Sequence, residues 1–99
     1  MDARPIRVLD LGLTNSELYD GLSVEVLAGN VTLVTEPEQA IPVMTQNLAK
    51  VSIDPEEVTL TGGMAIWAYL VVFHFLHGRT KRIYYEDGRG RRVLVAAHG

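Results

Sequence analysis

The side chains that could do chemistry in this sequence gather in its last third. All three histidines, His74, His77 and His98, follow residue 60, as do the double glycine Gly62-Gly63 and the segment Glu86-Asp87-Gly88-Arg89-Gly90. Histidine takes and returns protons near neutral pH, which suits it to general acid or base work. Arginine grips phosphate through a planar, permanently charged fork, and adjacent glycines leave backbone N–H groups open to an anion at a helix start. These residue types together point to an anionic ligand.

Each feature also has a plainer reading. His74 and His77 lie three apart, so on a helix they project from neighbouring positions near its C-terminal end, where the helix dipole favours an imidazolium. They equally suit a hydrogen-bonded core or interface residue and a helix cap, and no third ligand at fixed spacing makes them a metal site. Gly62-Gly63 turns the chain whether or not it holds a phosphate. Asp87 and Arg89 fit ordinary turn chemistry, and Arg91 and Arg92 fit a charged edge that discourages aggregation.

Charge sharpens the contrast between the two parts of the chain. Residues 1–60 hold ten acidic against three basic side chains, and residues 61–99 hold two against six, so the net −3 conceals a split of −7 and +4. A basic, histidine-bearing part on an acidic protein favours capture of an anion in a cleft. The acidic first 60 residues argue against broad nucleic-acid binding, DNA included, which demands a net basic surface.

The positioning elements follow from pattern. Ninety-nine residues at 47% apolar content make one domain, 1–99, with little core to spare. Ile6 to Leu13 reads as a first strand. Val24–Leu27 and Val31–Val34, separated by Ala28-Gly29-Asn30, read as a hairpin whose Gly and Asn accept positive φ. From Glu36 the chain reads helical, with Pro37 in the first turn and Ala40, Val43, Met44 and Leu48 on one face. Pro42 blurs where that helix begins. Glu57–Thr61 reads as a short central strand, and Met64–Leu76 as a helix closed by His77-Gly78. Lys81–Tyr85 and Arg92–Ala97 read as strands joined by an Asp-Gly turn, the strongest hairpin signal present. The order predicts an α+β two-layer sandwich with two helices on one face of a mixed sheet. The second helix is apolar almost all round, so the face it turns from the sheet predicts a homodimer in which these helices pack together.

Location is read from what is missing. With no cysteine the chain has neither disulfides nor thiolate metal ligands, which fits the cytoplasm. Met1-Asp2-Ala3-Arg4-Pro5 lacks the basic-then-apolar pattern of a signal peptide. The 13-residue apolar run Met64–Leu76 falls short of the roughly 20 residues of a membrane helix.

Taken together, a strand, the turn Gly62-Gly63, Ile66-Trp67 opening an apolar helix, then His77, a strand carrying Tyr85, Asp87-x-Arg89 and a late His98 resemble the small CRISPR-associated ring nucleases of type III systems. The resemblance covers about the last 40 residues, and the first 55 agree only in element order. The chain departs from the family pattern in having Ala65 where a proline is common and one extra residue before Asp87. It also ends at Gly99, which would loosen His98.

The resemblance implies a ferredoxin-like homodimer that binds and degrades cyclic tetra-adenylate and pairs into a tetramer on the ligand, so that His77 and Asp87 come from opposite subunits. On that reading His77, Asp87 and His98 are catalytic. Gly62, Gly63, Trp67, His74 and Arg89 bind ligand, and Asp87 orients a histidine, a ribose hydroxyl or a divalent cation, manganese foremost. A different class of function fits the same residues: a module that captures a cyclic oligonucleotide or an RNA 3′ end without turning it over. A third class is a structural dimer with exposed basic turns and no affinity for such ligands.

Overall fold

A computed structural model describes residues 4–98. Met1–Ala3 and Gly99, and with them most of the leader reading and the reading of the chain end, lie outside the described residues. The elements are β1 (Val8–Asp10), β2 (Val24–Leu27), β3 (Asn30–Leu33), α1 (Pro37–Lys50), β4 (Glu57–Thr61), α2 (Ile66–Leu76), β5 (Arg82–Glu86) and β6 (Arg92–Ala97). The fold is α+β: a mixed four-stranded sheet in the order β1-β4-β5-β6, two helices, and a separate β2-β3 hairpin. It is compatible with a ferredoxin-like two-layer sandwich. β1, β4 and β5 run parallel, joined through α1 and α2, and β6 returns antiparallel to β5.

Burial explains the layers. Val58 and Leu60 of β4 and Ile83 of β5 point from one sheet face into the core. There they meet Ala40, Met44 and Leu48 of α1 and Ala68, Val72, Phe75 and Leu76 of α2. The four α2 positions repeat at helical spacing and mark the single stripe that helix buries. α1 begins with Pro37 and continues through Pro42, whose ring sits on the exposed side.

Several expectations shift in detail, β5 among them, which runs one residue later than expected. The first strand contracts to Val8–Asp10, with Ile6 making an isolated bridge to Ile53. The first-hairpin turn places Ala28 (φ 52°) and Gly29 (φ 81°) in the left-handed region, while Asn30 starts β3. The second helix starts at Ile66, two residues after Met64. On α1, Val43 is half-buried and Asn47 is buried in the core-facing set. The Asn47 amide donates to the carbonyls of Leu18 at 2.8 Å and Asp20 at 2.9 Å, pinning the loop after β1 against the helix.

No helix among the described residues is long and apolar enough to cross a membrane.

Candidate functional site

The predicted site residues fall into two groups at opposite ends of the sheet. α2 runs antiparallel to the parallel strands, so its N-terminus lies where β4 and β5 end, and its C-terminus lies where β5 begins. At the first end stand Gly62, Gly63, Asp87 and Arg89; at the second stand His77 and His98.

The histidine group forms because α2 and β6 finish together. His77 follows the last helical residue, its N–H bonded to Phe73 O at 2.9 Å, and Gly78 then turns the chain with φ 94°. His98 follows β6, and its N–H bonds to Lys81 O at 2.6 Å. The two imidazoles meet with Nε2 atoms 2.8 Å apart and centroids 4.4 Å apart, nearly perpendicular, and the Phe73 ring lies tilted against His77 at 5.8 Å between centroids. Both histidines are exposed. With Nε2 facing Nε2, one ring donates and the other accepts. His74 does not join them. It faces the groove between α1 and α2 with Ile41, Thr45 and Arg79.

At the other end Gly62 has φ 101°, and a Cβ there would lie 2.1 Å from Asp10 Oδ1, 2.9 Å from Gly12 N and 3.0 Å from Leu11 N. The glycine is therefore required by packing. Its carbonyl accepts from the Tyr69 hydroxyl. A Cβ on Gly63 would meet nothing within 4 Å, so its backbone is open. The N-cap of α2 is Ala65, which supplies no side-chain cap. Trp67 is half-buried and lines a pocket with Leu13, Leu33 and Met64, under the hairpin.

Asp87 organises the β5–β6 turn. Its Oδ1 accepts from the N–H groups of Arg89 at 2.8 Å and Arg91 at 3.0 Å, and its Oδ2 accepts from Arg91 Nε at 3.2 Å. The backbone hydrogen bonds from Arg91 and Arg89, followed by the Arg91 charge, hold the carboxyl below its usual pKa. Arg89 is exposed and has no ion-pair partner among the described residues.

The charge sorting along the sequence is largely undone by folding. Glu57 on β4 accepts from Arg82 at 3.4 Å and Arg92 at 2.9 Å. Burial pushes its pKa up, but these hydrogen bonds more than offset that and the net direction is down. Lys81 pairs with Glu56 and Arg91 with Asp87. Arg92 also lies 3.6 Å from the Tyr84 ring centroid. Arg89 and Arg79 are left as the cations of this half without an acidic partner among the described residues.

The residues beside the site that the sequence did not single out are Asp10, whose carboxylate crowds the α-carbon of Gly62, and Tyr69, which donates to the Gly62 carbonyl. Asp10 Oδ1 accepts from Gly12 N at 2.7 Å, and the Asp-x-Gly spacing was the available signal for that local turn. Compared with protein-family models, with curated proteins and with solved structures, the chain matches none.

Proposed function

We propose that this protein binds and cleaves a cyclic oligoadenylate second messenger, cyclic tetra-adenylate foremost, and so switches off type III CRISPR antiviral signalling. The observation that carries the reading is the exposed His77–His98 pair, with Nε2 atoms 2.8 Å apart. Two imidazoles in one place supply the acid and the base that phosphodiester cleavage needs. One ring removes the proton of a ribose 2′-OH as its oxygen bonds to phosphorus, and the other protonates the 5′ oxygen as the P–O5′ bond breaks. Ligand entry would part the rings.

Arg89 would bind a phosphate oxygen and stabilise charge that develops there, and the open backbone at Gly63 would admit the nucleotide chain beside Gly62. Trp67, which underlies the hairpin, and His74, which faces α1, would contact the ligand from those places. The two groups of residues stand apart in one chain, so a shared site requires further copies, a homodimer pairing into a tetramer on the ring.

Manganese does not fit Asp87 within a single chain. Both carboxylate oxygens already accept hydrogen bonds, and no three of His, Cys, Asp or Glu cluster among the described residues. A cation there would need ligands from another copy, and no step above runs through it.

A second reading is a module that captures the ring or an RNA 3′ end without cleavage. The engagement of Asp87 in its own turn, away from the histidines, favours it. The test is to incubate the protein with cyclic tri-, tetra- and hexa-adenylate, with and without Mn²⁺, beside His77→Ala, and to read products by chromatography. Linear products that the variant fails to form support cleavage. Binding without products favours the sensor or sponge, and absence of both overturns the two readings.

A further inference from the structure

Arg79 is a fixed cation to which the proposed cleavage gives no task. It follows α2, and its guanidinium is held twice: it lies over the Phe75 ring at 4.0 Å from the centroid, and one Nη donates to Phe75 O at 2.6 Å. No acidic side chain pairs with it among the described residues. The edge formed by Nε and the other Nη is therefore unspent, and such an edge grips a carboxylate through two parallel hydrogen bonds. A guanidinium held in place before a ligand arrives loses less freedom on binding than a mobile one.

This charge stands at one end of an apolar groove. Between α1 and α2 lies a space of about 410 Å³, walled by Ile41 of α1 and by Leu70, Val71 and Phe75 of α2. That volume falls within the roughly 300–1,000 Å³ of small-molecule sites, which are apolar with a few placed polar groups. His74 and Arg79, from the C-terminal end of α2, place their N–H groups at that end of the groove. Thr45 also lines it, but its hydroxyl already donates to Ile41 O at 2.9 Å.

The distribution selects the ligand. An alkyl chain removes apolar surface from water along the walls. A nucleotide or a sugar would lay its hydroxyls and ring nitrogens against hydrocarbon, which is costly. An anionic head meets the free edge of Arg79, and a cationic head meets repulsion there. We propose that the α1–α2 groove binds a free fatty acid, its alkyl chain along Ile41, Leu70 and Val71 and its carboxylate on Arg79, with His74 beside it. The inference is independent of the nuclease reading, in which Arg79 has no part.

The full chain, isotope-labelled at its Ile, Leu and Val methyl groups, is titrated with decanoate, decanol and decyltrimethylammonium, each below its micelle concentration. Decanoate should bind saturably, one per chain, and shift the methyl resonances of Ile41, Leu70 and Val71. Decanol should bind at least about tenfold more weakly, the scale of a charge-assisted hydrogen bond, and decyltrimethylammonium more weakly still. Arg79→Gln, at an exposed position, should bring decanoate down to the affinity of decanol and leave decanol unchanged, the non-additivity that marks direct contact. Ile41→Glu should abolish binding of both, with the circular dichroism spectrum unchanged.

Equal affinity for decanoate and decanol, or an Arg79→Gln variant that keeps the preference, overturns the proposal. So does a chain that takes up no decanoate because a second copy seals the groove. Binding confined to phosphatidylglycerol vesicles, with free decanoate left in solution, overturns it in favour of a membrane surface.

Discussion

His77 and His98, 21 residues apart in sequence, bring their Nε2 atoms to 2.8 Å in the fold. One closes α2 and the other follows β6, so the pair joins the helix layer to the sheet edge. If the two rings act as acid and base, their losses are not independent. His77→Ala and His98→Ala should each lower turnover of cyclic tetra-adenylate about 10²- to 10⁴-fold, and the double variant should be little worse than either. Rates measured beside melting temperatures check this, and additive losses would sink the idea of a cooperating pair.

Gly62 and Gly63 should part company under substitution. Gly62→Ala places a Cβ at φ 101° and against Asp10 and Gly12, and should cost about 1–3 kcal/mol in denaturant unfolding. Gly63→Ala meets nothing within 4 Å and should leave stability near that of the parent. Weakened ring binding in Gly63→Ala alone would assign its open backbone to the ligand, and full binding would remove it from the site.

Asp87 can be divided into its turn role and its charge. Asp87→Asn keeps the Oδ1 acceptor for the N–H groups of Arg89 and Arg91, whereas Asp87→Ala removes it. The alanine variant should melt lower than the asparagine variant by the equivalent of about 1 kcal/mol. Turnover lost in both, with the asparagine variant still stable, is the expected result if the carboxylate takes part in chemistry.

Acid should unfold the protein partly through Asp54. The hydrogen bond from Arg7, then that from the backbone of Glu56, holds its pKa below the usual carboxylate value. The unfolded chain therefore takes up this proton first as pH falls. The stabilisation is complete above the unfolded value of about 3.9 and is lost as pH drops through the lower folded value. Melting temperatures of the parent and Arg7→Met should differ above pH ~4 and converge below it. An equal gap across the whole acid range would contradict this.

Much of the fold was legible because its signals are local. The Asp-Gly turn between β5 and β6 and the continuous apolar run of α2 announce themselves locally, within about a dozen residues each. What the sequence concealed depends on partners far along the chain. Asn47, absent from the apolar face that the sequence marks on α1, is buried there because two carbonyls of the loop after β1 accept from its amide. The basic last third looked like an anion site, yet Glu56 and Glu57, counted with the acidic part, lie on or beside β4 and take up Lys81, Arg82 and Arg92. The site was legible as a set of residue types and not as a place, because strand direction separates Asp87 from the histidines. Pairing of His77 with His98 depends on where two different elements stop, and residue spacing carries no record of that.

The crowding at Gly62 changes how sequences of future relatives should be read. A glycine kept at the first position of the pair would follow from packing alone: even with Asp10 replaced, the N atoms of Gly12 and Leu11 remain within about 3 Å of a Cβ there. Position 63 carries no such steric demand. Invariance at 62 would thus be inherited with the fold, and only invariance at 63 would testify to a ligand.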